Sequence, residues 1–390
     1  VFVIYGLISE ETDSMAANGE NQRERMRERP RKGGKPMSKS FVNKALLGSA
    51  VAAGAAVWAI APRTFSDKRR NYVPSIPDVW YAHRGLHDAG SGLTAQYANE
   101  SGEYVALARR MAMKAGYGSP SVTGAIAPEN SLAAFAAACE AGYGIELDLQ
   151  MTADGEIVVV HDGDLMRVAG DPRRIADLTY DELTRIPLFP TDAPGAAVAA
   201  PLPGSLEKPP LVTTPDSAPE GYFQHVPLFA DVLKVVAGRV PLIVEYKFDD
   251  NSKWGSRDVE LMEKGDALLQ AYSGAYVIES FNPAAVNWYK ENRPEVCRGQ
   301  LSWWPQGEEK PSDPAALAKE YAAGALIFDW ISRPDFVAYD WHGGNSPQVR
   351  LARFMGAVPV SWTVRSRDEL AQCDDWFDHH IFEAFVPDEQ

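Results

Sequence analysis

Glu146 and Asp148 stand two residues apart in the run Gly144 to Gln150, where Ile145, Leu147 and Leu149 alternate with Glu146, Asp148 and Gln150. Side chains of a strand alternate between its faces, so the two carboxylates share one face. Asp154-Gly155 follows as a turn signal, because a tight hairpin needs positive φ and glycine supplies it without strain. A return run from Ile157 to Val160 then delivers His161 and Asp162 near the acids. An acidic pair facing a histidine across a short hairpin has the chemistry to hold a hard divalent cation beside a proton-transfer group. An exposed hairpin with a polar face carries the same local pattern, so the surrounding elements have to decide.

Those elements read as a barrel. Extended apolar runs fall at 79–84, 144–150, 242–247, 276–281, 298–303, 325–330, 358–364 and 379–385. Helical patterns lie between most of them, at 131–141, 228–236, 256–272, 283–292, 314–323, 346–355 and 367–376. Alternation of this kind predicts parallel strands with crossover helices, and eight such units predict a closed (β/α)8 TIM barrel. The segment 157–162 is then an extra hairpin strand after the second stave. Active sites of such barrels lie at the C-terminal strand ends, where His83, Glu146, Asp148, Glu245 and Lys247 fall.

With 390 residues and 45% hydrophobic content, the chain suits one large catalytic domain and an N-terminal appendage. The net charge of −15 argues against nucleic acid as a partner, since the barrel region has no basic patch. Cys139, Cys297 and Cys373 lack metal-ligand spacing and are too few for a disulfide framework. Residues 1–44 read as a disordered basic N-terminus, in which 1–36 are polar and Met37 makes a more natural beginning. The run Ala45 to Ala61 carries no charge and follows an Arg/Lys-rich region. We expect 45–62 to be a transmembrane signal anchor with 63–77 as linker, which places a single-pass protein in the cell membrane with its barrel, 78–390, outside the cytoplasm. An Ala/Gly-rich buried helix is the competing reading of the same run.

Six pieces in order, His83-Arg84-Gly85, Pro128-Glu129-Asn130-Ser131, Glu146-x-Asp148, Thr152-x-Asp154-Gly155, His161-Asp162 and Glu245-x-Lys247, resemble the glycerophosphodiester phosphodiesterase family. The resemblance covers roughly residues 78 to 387, with interruptions at 86–127 and 187–227. It implies a phosphoric diester hydrolase that releases sn-glycerol 3-phosphate and an alcohol from glycerophosphodiesters. Phosphodiester hydrolysis builds negative charge on phosphoryl oxygens, so a cation and fixed positive groups should surround the phosphorus. Glu146, Asp148 and Glu245 are the expected ligands of one divalent cation, Ca2+ or Mg2+, and Arg84 and Lys247 the expected phosphate contacts. His83 and His161 suit a general base and a general acid on opposite sides of the phosphorus. By resemblance His83 is the base and His161 the acid; an alternative makes His161 a further metal ligand. Attack by water and attack by the glycerol 2-hydroxyl to form a cyclic phosphate both remain open at this stage.

Other substrates are phospholipid, sphingomyelin or a cell-wall polymer, and another class altogether is a catalytically silent barrel serving as a surface-binding module. The presence of all seven site residues speaks against silence. Asn130 or Ser131 is expected to cap the helix that follows, and Trp303, Trp304, Trp330 and Trp362 to pack the barrel, with one or two walling an alcohol pocket. Two stretches depart from the family. Thr363-Val364-Arg365 stands where the family usually has Thr-Val-Asn, and Phe377 to Glu383 only faintly matches its last strand. Within the first insertion, Tyr104, Leu107, Ala108, Met111 and Ala115 recur at helical spacing, with Arg109, Arg110 and Lys114 largely elsewhere. An insertion after the first strand emerges over the site, so this helix is expected to be a lid across the mouth.

Overall fold

The computed structural model describes residues 53–62, 72–190, 222–251, 253–305 and 310–388. The strands are β1 (Tyr81–Ala82), β2 (Gly144–Met151), β3 (Ile157–Val159), β4 (Asp164–Leu165), β5 (Asp171–Arg174), β6 (Leu242–Tyr246), β7 (Tyr276–Ser280), β8 (Arg298–Ser302), β9 (Phe336–Asp340), β10 (Val358–Val364) and β11 (His379–Phe382). Eight of them form a parallel ring in the order β1-β2-β6-β7-β8-β9-β10-β11, closed where Tyr81 pairs with Ile381. This is the expected TIM barrel. β3 adds to β2 antiparallel, with Leu149 opposite Val159 and Met151 opposite Ile157. Gly155 turns that hairpin at φ 83°.

Along β6 and β7 the inward residues change character. Tyr81, Ile243, Val277, Leu301, Phe336 and Val360 belong to one buried apolar cluster. Two residues further along, on the same face, Ile243 gives way to Glu245 and Val277 to Glu279. A water-free floor therefore underlies a layer of acids at the C-terminal ends.

The expected helices recur with small shifts at their ends, and one expected strand does not. Residues 325–330 form a turn and the start of a short helix, Asp329–Ser332, and the sixth stave is Phe336–Asp340 instead. The two runs are equally apolar, but Gly299 of β8, which pairs with Phe336, leaves the space that the Phe336 ring fills; a Cβ there would lie 2.1 Å from the ring.

The insertion helix α1 (Ala98–Lys114) buries Tyr104, Val105, Ala108 and Ala112. It packs along α2 (Leu132–Ala141), on the outside of the barrel, and not across the mouth. Arg109 is inside as well, paired with Asp88 at 2.7 Å, and Lys114 reaches Glu140 of α2 at 3.1 Å. The lid expectation is thus corrected: the apolar face of α1 is satisfied by the neighbouring helix. The lead-in, Gly90 to Thr94, lines a cavity with Arg84 and His161 at the mouth.

Of the expected anchor, 45–52 lies outside the described residues, as do 1–44, 63–71 of the linker and most of the second insertion. Residues 53–60 are helical, and among the described residues no helix is long and apolar enough to cross a membrane. Ala59 and Ile60 are buried, the carbonyls of Trp58 and Ala61 accept hydrogen bonds from Arg333 Nη1 at 2.7 and 2.6 Å, and the Trp58 ring stacks on Trp330. The transmembrane helix is therefore unsupported.

Candidate active site

Glu146 and Asp148 from β2 and Glu245 from β6 are brought together by register, since Asp148 pairs with Glu245. One carboxylate oxygen of each lies within 4.8 Å of the others, and all three residues are buried. Burial, then Asp148 and Glu245, pushes the Glu146 carboxyl well above the usual carboxylate range. Burial pushes Glu245 up to about 7, against the opposing pull of Lys247 and with Asp148 adding to the rise. Glu279 lies near, fully buried, with Oε2 lacking a hydrogen-bond partner, and burial followed by Glu245 raises it too. Three hard oxygen donors this close, two of them pushed toward their neutral form, fit a divalent cation, which would favour all three as carboxylates.

Cationic side chains line the same acids. Lys247 Nζ sits 2.7 Å from Glu245 Oε2 and 3.2 Å from Asp148 Oδ1. Arg84 Nε is 3.5 Å from Asp148 Oδ2, and its Nη1 donates to Glu129 Oε1 at 2.8 Å. Burial acts to raise Asp148, but Lys247, His161, Arg84 and His83 outweigh it and hold it below its ordinary value.

The His-Arg-Gly motif has a backbone reason. Arg84 takes a left-handed conformation at φ 56°, which aims its N–H at Glu146 Oε2, 3.1 Å away. Gly85 follows at φ 80°, and a Cβ there would strike Ala134 of α2 at 2.9 Å. His83 Nδ1 is 2.6 Å from Glu383 Oε2, which leaves Nε2 on the acid side, 3.9 Å from Glu146 Oε2. Burial lowers the ring to about 4, with Glu383 offsetting part of the fall. His161 Nδ1 is 2.7 Å from Asp162 Oδ1, and burial, then Arg84 and Lys247, lowers that ring also.

All seven expected residues meet here, with six companions that sequence reasoning passed over. Of the two expected capping candidates, Ser131 caps α2, and Asn130 donates from Nδ2 to Asp148 Oδ2 at 2.8 Å. Glu129 bridges Arg84 and Arg167, and those guanidiniums overcome the effect of burial and hold its carboxyl far below the usual range. Gln150 donates to the carbonyls of Val160, His161 and Asp162, which ties the histidine loop to β2. Glu383 and Arg365 were visible only as departures from the family pattern. The Pro-Glu-Asn-Ser motif did carry a signal for Glu129 and Asn130.

Two cavities flank the acids. One, about 350 Å³, includes Arg84, Ser91, Leu93, His161, Arg167 and Phe189. The other, about 410 Å³, lies beyond the ends of β7 and β8 and is lined by Trp254, Phe281, Gln300, Trp303 and Phe328 among others. Phe281 joins it to the site, with its ring 5.8 Å from Lys247 Nζ. Of the four tryptophans, Trp303 alone walls this cavity; Trp362 packs edge-on against Phe281, and Trp304 lies against Tyr321.

The sequence matches the Glycerophosphoryl diester phosphodiesterase family over residues 122–382, more than half of the chain. That match begins at residue 122, near the end of the first insertion, so His83 and Arg84 lie outside it and join the site through the fold. A glycerophosphodiester phosphodiesterase of Caldanaerobacter subterraneus is 43% identical over 60 residues, 15% of this chain and 25% of that protein. Glycerophosphodiester phosphodiesterase 1 of Bos taurus is 43% identical over 61 residues, 15% of this chain and 18% of that protein. The chain thus matches a quarter or less of the length of these curated relatives. A crystal structure assigned to a glycerophosphoryl diester phosphodiesterase of Silicibacter pomeroyi shares the fold, with a TM-score of 0.50 at 20% identity over 80% of this chain and 92% of that one. With the family matched across the body of the barrel, this chain belongs to the glycerophosphoryl diester phosphodiesterase family.

Proposed function

We propose that this protein hydrolyses glycerophosphodiesters to sn-glycerol 3-phosphate and an alcohol, with His83 as general base and His161 as general acid. The observation that carries this reading is the convergence of two histidines, each with Nδ1 against a carboxylate, on one cluster of buried acids and bases. A carboxylate only accepts hydrogen bonds, so Nε2 of each ring is the atom left for chemistry.

Glu146, Asp148 and Glu245 would hold the divalent cation, Ca2+ or Mg2+, which when bound draws charge from the phosphoryl oxygens. Arg84 and Lys247 bind and orient the phosphodiester from two sides. His83 lies low enough to be neutral near pH 7 and takes at Nε2 the proton of the nucleophile, either water or the glycerol 2-hydroxyl, the cyclic phosphate of the second route being opened by water to give glycerol 3-phosphate. His161 delivers a proton to the leaving alkoxide. Arg84 and Lys247 work against its protonation in the free protein, and an anionic phosphate between them offsets that effect. The cavity beside Phe281 gives the alcohol room.

The test is an assay of the full chain on a panel of glycerophosphodiesters, lysophospholipid and sphingomyelin, with and without chelator. Release of glycerol 3-phosphate that stops in chelator and returns with Mg2+ or Ca2+ is expected. Full activity in chelator, or preference for an intact lipid, would overturn the metal or the substrate respectively. The cell-membrane placement is also a proposal, resting on the uncharged run Ala45 to Ala61 alone; recovery of uncleaved full-length protein in the soluble fraction would defeat it.

A further inference from the structure

Three features that set this chain apart from its family meet at one carboxylate. Glu383, in the poorly matching last strand region, is fully buried. Its Oε1 accepts from Nε of Arg365, the residue that stands in place of the family's asparagine, at 2.6 Å. Its Oε2 accepts from Ser91 Oγ, at the lead-in of the first insertion, at 2.6 Å. The same oxygen lies 2.6 Å from His83 Nδ1.

We propose that Glu383, with Arg365 as its counter-charge and Ser91 as its cover, is the positioning residue for His83, holding the ring in the tautomer that carries hydrogen at Nδ1 and presents Nε2 to the acids. This rests on the reading of His83 as the base. A buried carboxylate without donors is costly, and Glu383 meets three at hydrogen-bond distance from three separate parts of the chain. Removing Arg365 from such a group would leave an uncompensated interior charge. The loop is shaped to lie directly on this acid. Gly92 has φ 75°, and a Cβ there would stand 2.7 Å from the Glu383 carboxyl carbon. A second contact holds the loop's neighbour in place, since Tyr97 Oη donates to Glu369 Oε1 at 2.8 Å while the Arg365 N–H donates to Glu369 Oε2 at 2.7 Å. The insertion therefore serves the site from behind the histidine, by covering the group that aims it.

The experiment uses the full chain with 15N-labelled histidine rings, the His83 signals being assigned by their loss in His83→Ala. At a pH where the ring is neutral, the nitrogen shifts should report hydrogen on Nδ1 in the unaltered protein and a mixture of tautomers in Glu383→Ala. The same variant should lose about 10- to 100-fold in kcat with KM within about twofold, as expected for an outer partner of a site group. Combined with His83→Ala, it should cost nothing more than His83→Ala alone. Hydrogen on Nε2 in the unaltered protein would overturn the proposal, as would losses that multiply in the double variant. The tautomer of the unaltered protein decides the matter if Glu383→Ala does not fold. Full activity in His83→Ala, with hydrogen on Nδ1 in the unaltered protein, would instead overturn the base reading itself.

Discussion

The two histidines of the site are held in the same way by partners of very different origin. Asp162 follows His161 in the chain and is partly exposed, whereas Glu383 meets His83 across 300 residues and is fully buried. The first pairing exists as soon as the β2–β3 hairpin forms. The second exists only when β1 and β11 close the ring. One half of the site is thus local and wet, and the other depends on the whole barrel and is dry. The difference teaches that equal geometry at Nδ1 does not imply equal energetic weight, because a hydrogen bond to an interior charge counts for more than one that water can replace.

Asp148 joins the two halves, since Asn130, Arg84 and Lys247 all address it. Asp148→Asn should therefore have the largest effect, a loss on the order of three decades or more in kcat with loss of cation binding by calorimetry. Undiminished affinity for Mg2+ and Ca2+ in that variant would remove Asp148 from the ligands. Next in size are the histidines. His83→Ala and His161→Ala should each cost about two to four decades, and a substrate with a good leaving group should rescue His161→Ala alone. Failure of both on that substrate would make His161 a ligand rather than an acid.

How much of this was written legibly in the chain follows the same division. The alternation along β2, the Asp154-Gly155 turn and the helical runs are local signals, and they placed the barrel, the hairpin, Glu146, Asp148 and His161, while His83 and Glu245 came from the family resemblance. The run 325–330 misled because a short apolar stretch reads alike as strand or buried turn; the deciding fact, a glycine opposite Phe336, lies on another stave. Periodicity identified the apolar face of α1 but not its partner, so a helix that leans on α2 read as a lid. The capping signal at Asn130 or Ser131 was met by Ser131, and nothing local showed that Asn130 would turn to Asp148. Glu383 and Arg365 gave no positive signal, since each makes sense only beside the other, eighteen positions apart just past the ends of the neighbouring strands β10 and β11.

The acid cluster offers a test that does not depend on turnover. Glu245 has a folded-state value of about 7 against an ordinary 4.5, so between those values the native protein holds a proton that the unfolded chain has released. Its contribution is present below about pH 4.5 and is lost as pH rises through about 7. Glu245→Gln lacks this term, while the histidines are common to both proteins. Without metal, the variant should gain stability relative to the unaltered protein across that window, by on the order of 3 kcal/mol for the full shift. Added Mg2+ or Ca2+ should stabilise the unaltered protein and reverse the order. A stability difference that ignores pH would show that Glu245 is ionised and compensated by Lys247 alone.

The smallest effect belongs to the local half. In Asp162→Asn the amide oxygen still accepts from His161 Nδ1, while the amide must turn its nitrogen toward Arg167, which now donates to Asp162 Oδ2 at 2.7 Å. Arg167 keeps its two bonds to Glu129, at 2.8 and 2.6 Å, and Gln150 still ties down the backbone carbonyls of residues 160 to 162. The loop therefore stays in place, and water can reach the partly exposed Arg167 Nε, which has lost its acceptor. A single replaceable hydrogen bond is worth about 0.5–1.5 kcal/mol, so kcat should fall about three- to tenfold with KM unchanged. Steady-state kinetics on this variant, run beside Glu383→Ala, measure the contrast between the two histidines directly. A loss from Asp162→Asn equal to that from Glu383→Ala would abolish the distinction between a local support and one that requires the closed ring.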